Sequence, residues 1–153
     1  MASRTPGLTP LEALALAMTR WEIRGRPIFV DTERRALVRA LDDDMDFVIR
    51  RIALCLSEAR GASEGDVLLL VVDALEGLVT GASTTADAAT LVSALRRLAR
   101  SGKVAVLALC RNDFYPQLMA LPELLALKRD GASYDLAAPG PGEVAQMIRL
   151  PAV

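Results

Sequence analysis

Asp66-Val-Leu-Leu-Leu-Val-Val-Asp73 is the stretch on which the fold turns. Its apolar residues run on without alternation, the pattern of a strand buried on both faces of a parallel sheet. A second run of the same character, Val104-Ala-Val-Leu-Ala-Leu-Cys110, lies downstream. Between the two, after the small-residue loop Gly81–Thr85, helical spacing puts Leu91, Leu95 and Leu98 on one face and Arg96, Arg97 and Arg100 elsewhere. Ser101-Gly102 ends that helix. Strand, helix and strand make a βαβ unit, so the strands should be parallel and the crossover right-handed.

Further along, a helical stretch near Asp113–Arg129 is bent around Pro116 or Pro122. A short strand at Tyr134–Leu136, a Pro/Gly turn and a helix from Gly142 to Leu150 follow. The order βαβαβα argues for α/β with a parallel sheet. Toward the N-terminus, Gly61–Gly65 reads as a loop, and helical spacing joins Leu37, Leu41, Met45, Val48, Ile49, Ile52 and Leu56. Asp42-Asp43-Asp44 divides this region into two helices, because aspartate is a poor interior residue and a good cap. As a calcium loop the triplet lacks spaced ligands and a glycine. An earlier helix begins near Pro10 with Thr9 as N-cap, carries Leu11, Leu14, Met18 and Trp21, and is ended by Gly25 and Pro27. Ile28–Val30 is too short to assign as a strand.

At 153 residues the chain is about one domain, and 52% hydrophobic against 24% charged residues allows a sizeable core. Eighteen basic against 19 acidic residues leave a net charge of -1, so neither nucleic acid nor an anionic membrane is an expected partner. No apolar run, Val67–Val72 included, approaches the roughly 18 residues a membrane span needs. MASRTPGLTP has no apolar segment of the kind a secretory signal requires. Cys55 and Cys110 sit in apolar patterns without metal-ligand spacing and read as buried free thiols of a cytoplasmic chain. The absence of histidine removes Ser-His-Asp and Cys-His triads and histidine proton shuttles. Catalysis would have to use carboxylates, Lys or Arg, backbone dipoles or a bound metal.

Ligands of open parallel sheets bind beyond the carboxyl ends of the strands. Asp73 closes the first strand with Glu76 three residues later, and Arg111, Asn112 and Asp113 close the second. A carboxylate there can hold Mg²⁺, a second can orient an attacking water, and an arginine can sense phosphate charge. Equally, Asp73 could be a loop or capping residue, and Arg111 could pair with it across the strand ends.

Three longer strings carry a resemblance. Val67–Thr80 (VLLLVVDALEGLVT) is similar to the Walker B segment of bacterial STAND-class P-loop NTPases, aliphatics followed by D-Q-x-E-E-L-F-T. Val104–Leu127 resembles that family's next strand and helix, with an R-x-D-F-Y string before P-E-L. Tyr134–Ala152 resembles its later strand, P-x-x-P/G-E turn and R-x-P-A helix. Pro6–Met18 is a weaker match to the stretch after the family's second strand. The resemblance implies a three-layer P-loop NTPase-like parallel sheet, incomplete at its N-terminal part. Residues 1–65 would be a helical segment, and 66–153 the Walker B and sensor-strand half.

On this resemblance Asp73 matches the Mg²⁺-associated aspartate, Glu76 a water-activating glutamate, and Arg111 a sensor-like arginine with Asp113 beside it. Ala74 and Gly77 replace the family's glutamine and second glutamate, which puts hydrolysis in doubt. No G-x-x-x-x-G-K-[ST] loop occurs, and Lys103 and Lys128, the two lysines, lie outside any such context. In the family the strand leading to that loop is central and separates the last strand from the other two. Its absence implies unpaired strand edges and an uncovered apolar surface. It also implies a fragment, a truncated product or part of a site completed elsewhere. Mg-ATP is the cofactor expected of the intact family and none is expected of this chain alone. The resemblance implies as partners the missing part of the domain, effector or sensor domains, or another copy of the chain. The functions in view are part of a signalling ATPase switch, a non-enzymatic interaction module, and an unrelated α/β enzyme with a carboxylate-bound metal.

Overall fold

A computed structural model of the chain describes residues 7–59, 61, 65–80 and 84–149, with 148 described by its backbone alone. The expected loops at 61–65 and 81–85 therefore fall partly outside the described residues.

Helix α1 (Pro10–Met18) starts where its capping signals place it. Thr9 Oγ1 accepts from the Glu12 amide at 3.3 Å, and the Glu12 carboxylate accepts from the Thr9 amide at 2.8 Å. This reciprocal box satisfies two amides that a helix start leaves unpaired. The helix ends at Met18, earlier than the apolar stripe suggested, so Trp21 lies beyond it. The chain then forms a hairpin of two-residue strands, β1 (Glu22–Ile23) and β2 (Arg26–Pro27). Arg24 and Gly25 between them have φ of 52° and 77°, the two left-handed residues of a type I′ turn. Gly25 is thus the centre of a hairpin rather than a simple helix stop. Ile28 and Phe29 follow into the core.

Helices α2 (Arg34–Asp43) and α3 (Met45–Glu58) break within the aspartate triplet. Asp44 Oδ1 accepts from the Phe47 amide at 3.1 Å and so caps α3. Leu37, Leu41, Met45, Val48 and Ile52 face inward. Arg51 on α3 reaches back to the preceding loop, donating from Nε to the Ile28 carbonyl at 2.6 Å and pairing with Glu33 at 3.2 Å.

Strands β3 (Leu68–Val72) and β4 (Val104–Ala108) pair in parallel, from Leu68 opposite Val104 to Val72 opposite Ala108. The short α4 (Gly77–Thr80) and the long α5 (Thr85–Arg100) connect them. Thr84 Oγ1 accepts from the Asp87 amide, and Asp87 accepts from the Thr84 amide and hydroxyl. These bonds, the backbone one foremost, hold the Asp87 carboxyl below the ordinary carboxylate range. Leu91, Leu95 and Leu98 of α5 are buried, as their spacing requires.

The parallel pair corrects one expectation. Leu70 and Val104, on the even-numbered face, are buried, but Leu69 is 64% and Leu107 48% exposed on the opposite face. Among the described residues helices cover one face only. The three-layer sheet is therefore not seen in full; among the described residues the fold is mixed α/β, mostly helical, with two two-stranded sheets. The continuous apolar run records two faces that would suit burial, while neighbours are present on one.

After a 3-10 turn at Asn112–Phe114 come α6 (Tyr115–Met119) and α7 (Pro122–Arg129). The break falls at Leu121, which is extended because the following proline disfavours helical backbone before it. Asp130 fastens the end of α7 to α5, bonding Arg100 at 2.7 Å and Arg96 at 3.2 Å. The strand expected at Tyr134–Leu136 is absent. Three residues without an adjacent strand edge gain too little to order as a ladder, and Tyr134 and Leu136 stand 86% and 77% exposed. Helix α8 (Pro141–Arg149) closes the described chain, one residue earlier than expected at its start, with Leu150 outside the described residues.

One buried cluster runs from Leu11 in α1 through α2, α3, β3 and α5 to Leu124 in α7. No helix among the described residues is long and apolar enough to cross a membrane. Both cysteines are free, but Cys55 is only half-buried and Cys110 is exposed. The expectation of two buried thiols fails for Cys110 because it lies past the end of β4, where no neighbour covers it among the described residues.

Candidate functional site

The carboxyl ends of β3 and β4 lie side by side because the strands are parallel and in register. Asp73 follows β3 directly and is half-buried. Ala74 then takes φ of 61°, a left-handed backbone that a residue with a Cβ adopts only under external constraint. The constraint is visible in the next residue: Leu75 is buried, and its amide donates to the Leu109 carbonyl at 2.9 Å, tying the loop to the end of β4. Sequence carries no sign of this turn, since nothing marks Ala74 as left-handed.

Glu76 is set by the turn into α4. Its carbonyl accepts from the amides of Val79 and Thr80 and from the Thr80 hydroxyl, at 2.9–3.0 Å. Its side chain is a different matter. Glu76 Oε2 is enclosed and has no hydrogen-bond partner among the described residues. An enclosed carboxylate oxygen without a donor is costly and marks a place where a donor or cation would be favourable. At Gly77 a Cβ would meet nothing within 4 Å, so the position holding an acidic residue in the resembling motif is open space here.

Arg111 lies beyond the end of β4. It does not pair with Asp73; it forks onto Asp113, with Nη2 at 2.7 Å and Nε at 3.1 Å, and lies over the Phe114 ring at 5.5 Å. Both partners are more than half exposed. The structure thus brings Asp73 and Glu76 into one turn and Arg111 and Asp113 into another, beyond adjacent strands, with no ion pair joining them among the described residues. No group of three or more acidic or cysteine side chains among the described residues could hold a metal ion by itself.

Neither lysine stands in a phosphate-loop context. Lys103 precedes β4, at the opposite end of the sheet. Lys128 donates to the Tyr115 hydroxyl and lies over that ring at 4.7 Å. A surface hollow of about 410 Å³ lies between the hairpin and the end of α3, lined by Ile23, Arg24, Arg26, Cys55, Glu58 and Ala59, and includes none of the strand-end residues.

Compared with known proteins, the chain matches the sequence model of one family, Novel STAND NTPase 1, over residues 1–153. No curated protein and no solved structure matches it.

Proposed function

The chain belongs to the Novel STAND NTPase 1 family, and from that premise we propose that it supplies the carboxylate and sensor side of a nucleotide-dependent switch whose phosphate-binding loop lies elsewhere. The observation that carries this reading is the enclosed Glu76 Oε2, without a partner among the described residues, three residues after Asp73 and beyond the end of β3, where α/β sheets take ligands. In a completed site Asp73 is the metal-side carboxylate, Glu76 the water-side one and Arg111 the sensor, with Asp113 holding Arg111 until phosphate competes for it. The parallel pair would be two strands of a larger three-layer sheet. On this reading residues 1–65 form its helical flank, and 66–153 form the Walker B and sensor half.

The residues present do not fit Mg-ATP by themselves. There is no glycine-rich loop ahead of a Lys-Ser or Lys-Thr pair to cradle the β-phosphate; Lys103 lies at the amino end of β4, and Lys128 is engaged with Tyr115. We assign no hydrolytic step to this chain. Its partners on this reading are the segment bearing the phosphate loop and the effector and sensor domains of a STAND protein. The setting would be the cytoplasm, in line with two free cysteines.

A second reading, a non-enzymatic interaction module, is favoured by the bare sheet face at Leu69 and Leu107. Calorimetric titration with Mg-ATP, on the chain alone and with the phosphate-loop segment supplied, separates the two. The half-site reading expects no measurable binding by the chain alone. Tight binding that Asp73→Ala abolishes would show that the missing loop is dispensable and refute it. If Asp73→Ala and Glu76→Ala alter only stability, also when the phosphate-loop segment is supplied, the interaction module stands instead.

A further inference from the structure

The parallel ladder ends irregularly on the β3 side. The Leu109 amide donates to the Val72 carbonyl at 2.9 Å. In a regular parallel pair the Leu109 carbonyl would then accept from the amide two residues beyond Val72, that of Ala74. It accepts instead from Leu75, also at 2.9 Å. One residue is inserted, and Ala74, at φ 61°, absorbs it. Bulges of this kind re-aim side chains next to active sites. The side chains re-aimed here are Leu75, which is buried, and Glu76, whose Oε2 is enclosed without a partner among the described residues.

Opposed effects of similar size meet in this bulge. Burial of the Leu75 side chain favours it. Left-handed backbone at an alanine, and a carboxylate oxygen enclosed without a donor, oppose it. The competing form follows from the ladder itself. With Ala74 extended, its own amide takes the Leu109 carbonyl, so the number of ladder bonds is conserved. That one-residue slip turns Leu75 away from the core and draws Glu76 out of its enclosure.

We propose that the bulge is a two-position latch, closed with the Leu75 amide on Leu109 and open with the Ala74 amide in its place, which sets whether Glu76 is held at the strand ends. Among the described residues no ion pair joins the turn at Asp73–Glu76 to the one at Arg111–Asp113. The bond at Leu109 links them through the backbone, since Leu109 lies two residues before Arg111. A donor or cation that reaches Glu76 Oε2 removes one of the two opposing effects and shifts the population toward the closed position. This role for a ligand rests on the nucleotide-switch reading, whereas the latch is a property of the chain alone.

Amide hydrogen exchange read by NMR on the full chain, with no nucleotide present, tests the latch. The Leu75 amide should have a lower protection factor than the Leu107 amide inside the ladder, as local opening requires. Ala74→Gly removes the left-handed strain and weakens the extended form, so it should raise Leu75 protection at least about fivefold, the factor matching the lower end of that strain. Ala74→Val, at an exposed position, should lower it by a similar factor, because a β-branched residue resists left-handed backbone and favours extended. A merely flexible turn gives the opposite signs, glycine loosening it and valine stiffening it. Glu76→Gln relieves the enclosed charge and should also raise Leu75 protection. In all three variants Leu107 protection and the circular dichroism spectrum should stay as in wild type. Leu75 exchanging only in step with Leu107, glycine failing to raise its protection, valine failing to lower it, or Glu76→Gln leaving it unchanged overturns the proposal. These outcomes are separate from Mg-ATP titration, so failure of the latch and failure of the nucleotide reading are told apart.

Discussion

Replacing Arg51 by methionine tests how the hairpin segment is fastened to the helices. Its guanidinium makes three contacts: Nε to the Ile28 carbonyl at 2.6 Å, an ion pair with Glu33 at 3.2 Å, and a position 5.4 Å above the Phe29 ring. A hydrogen bond with one charged partner contributes about 1.5–3 kcal/mol, and the acceptor belongs to a residue with no exposed surface. The ion pair is about one-third to two-fifths exposed on its two sides, which limits it to roughly 0.2–1 kcal/mol. The ring contact adds about 0.5–1 kcal/mol. One group makes all three, so they do not sum, and the expected loss is about 2–3 kcal/mol, a fall in Tm of roughly 5–10 °C for a chain of this size. Glu33→Gln should cost less than about 1 kcal/mol, since it removes the ion pair alone. Urea unfolding followed by Trp21 fluorescence and circular dichroism reads both. If Arg51→Met costs under about 0.5 kcal/mol, or Glu33→Gln costs as much as Arg51→Met, the carbonyl bond does not hold the segment.

Other substitutions probe the caps, the acid limb and the strand-end turn. Asp44→Ala removes the acceptor for the Phe47 amide and should cost about 1 kcal/mol in the same urea measurement; no change would mean water replaces the cap fully. Burial pushes the Asp130 carboxyl up, but Arg100 and then Arg96 outweigh it and hold the value below the ordinary 3.8. A carboxyl lowered on folding binds fewer protons in the native state, so its contribution is present above about pH 4 and is lost as pH falls through the native value. Melts from pH 6 downward should therefore show a shallower acid decline for Asp130→Asn than for wild type, and parallel declines would contradict the linkage. Glu76→Leu removes the enclosed, unpartnered oxygen and should stabilise the chain by up to about 1 kcal/mol. A clear loss of stability would show that the carboxylate already has a structural partner.

The sequence was legible wherever one local rule decided the structure. Thr9 is readable as the cap ahead of Pro10, and the break at Asp44 follows from aspartate's preference for caps, whereas the Thr84–Asp87 box emerges only in the structure. The parallel pairing was readable because a helix of 16 residues separates two apolar runs. What stayed hidden depends on neighbours. Leu69 and Leu70 are the same residue type in one run, yet one is exposed and the other buried, since only the layer beyond the sheet distinguishes them. Tyr134–Leu136 has strand-like residues but no edge to pair with. The hairpin at Glu22–Pro27 escaped notice because arginine, not asparagine, precedes Gly25 in its turn. At the candidate site, Asp73, Glu76 and Arg111 could be placed at strand ends by position. The fork of Arg111 onto Asp113 and the left-handed Ala74 could not, because both arise from contacts made after the chain has folded.

The pairing of β3 with β4 has a consequence for the timing of amide exchange. The amides of Leu70, Val72, Ala105 and Leu107 point between the strands, while those of Leu69, Val71, Val106 and Ala108 point away from the pair. Deuterium should therefore enter the isolated chain at every second residue of each strand, leaving a protected amide between two open ones. Helix α5 both connects the strands and packs against β4. The protected amides of β4, Ala105 and Leu107, should therefore be released together as α5 lifts away, rather than fraying from either end.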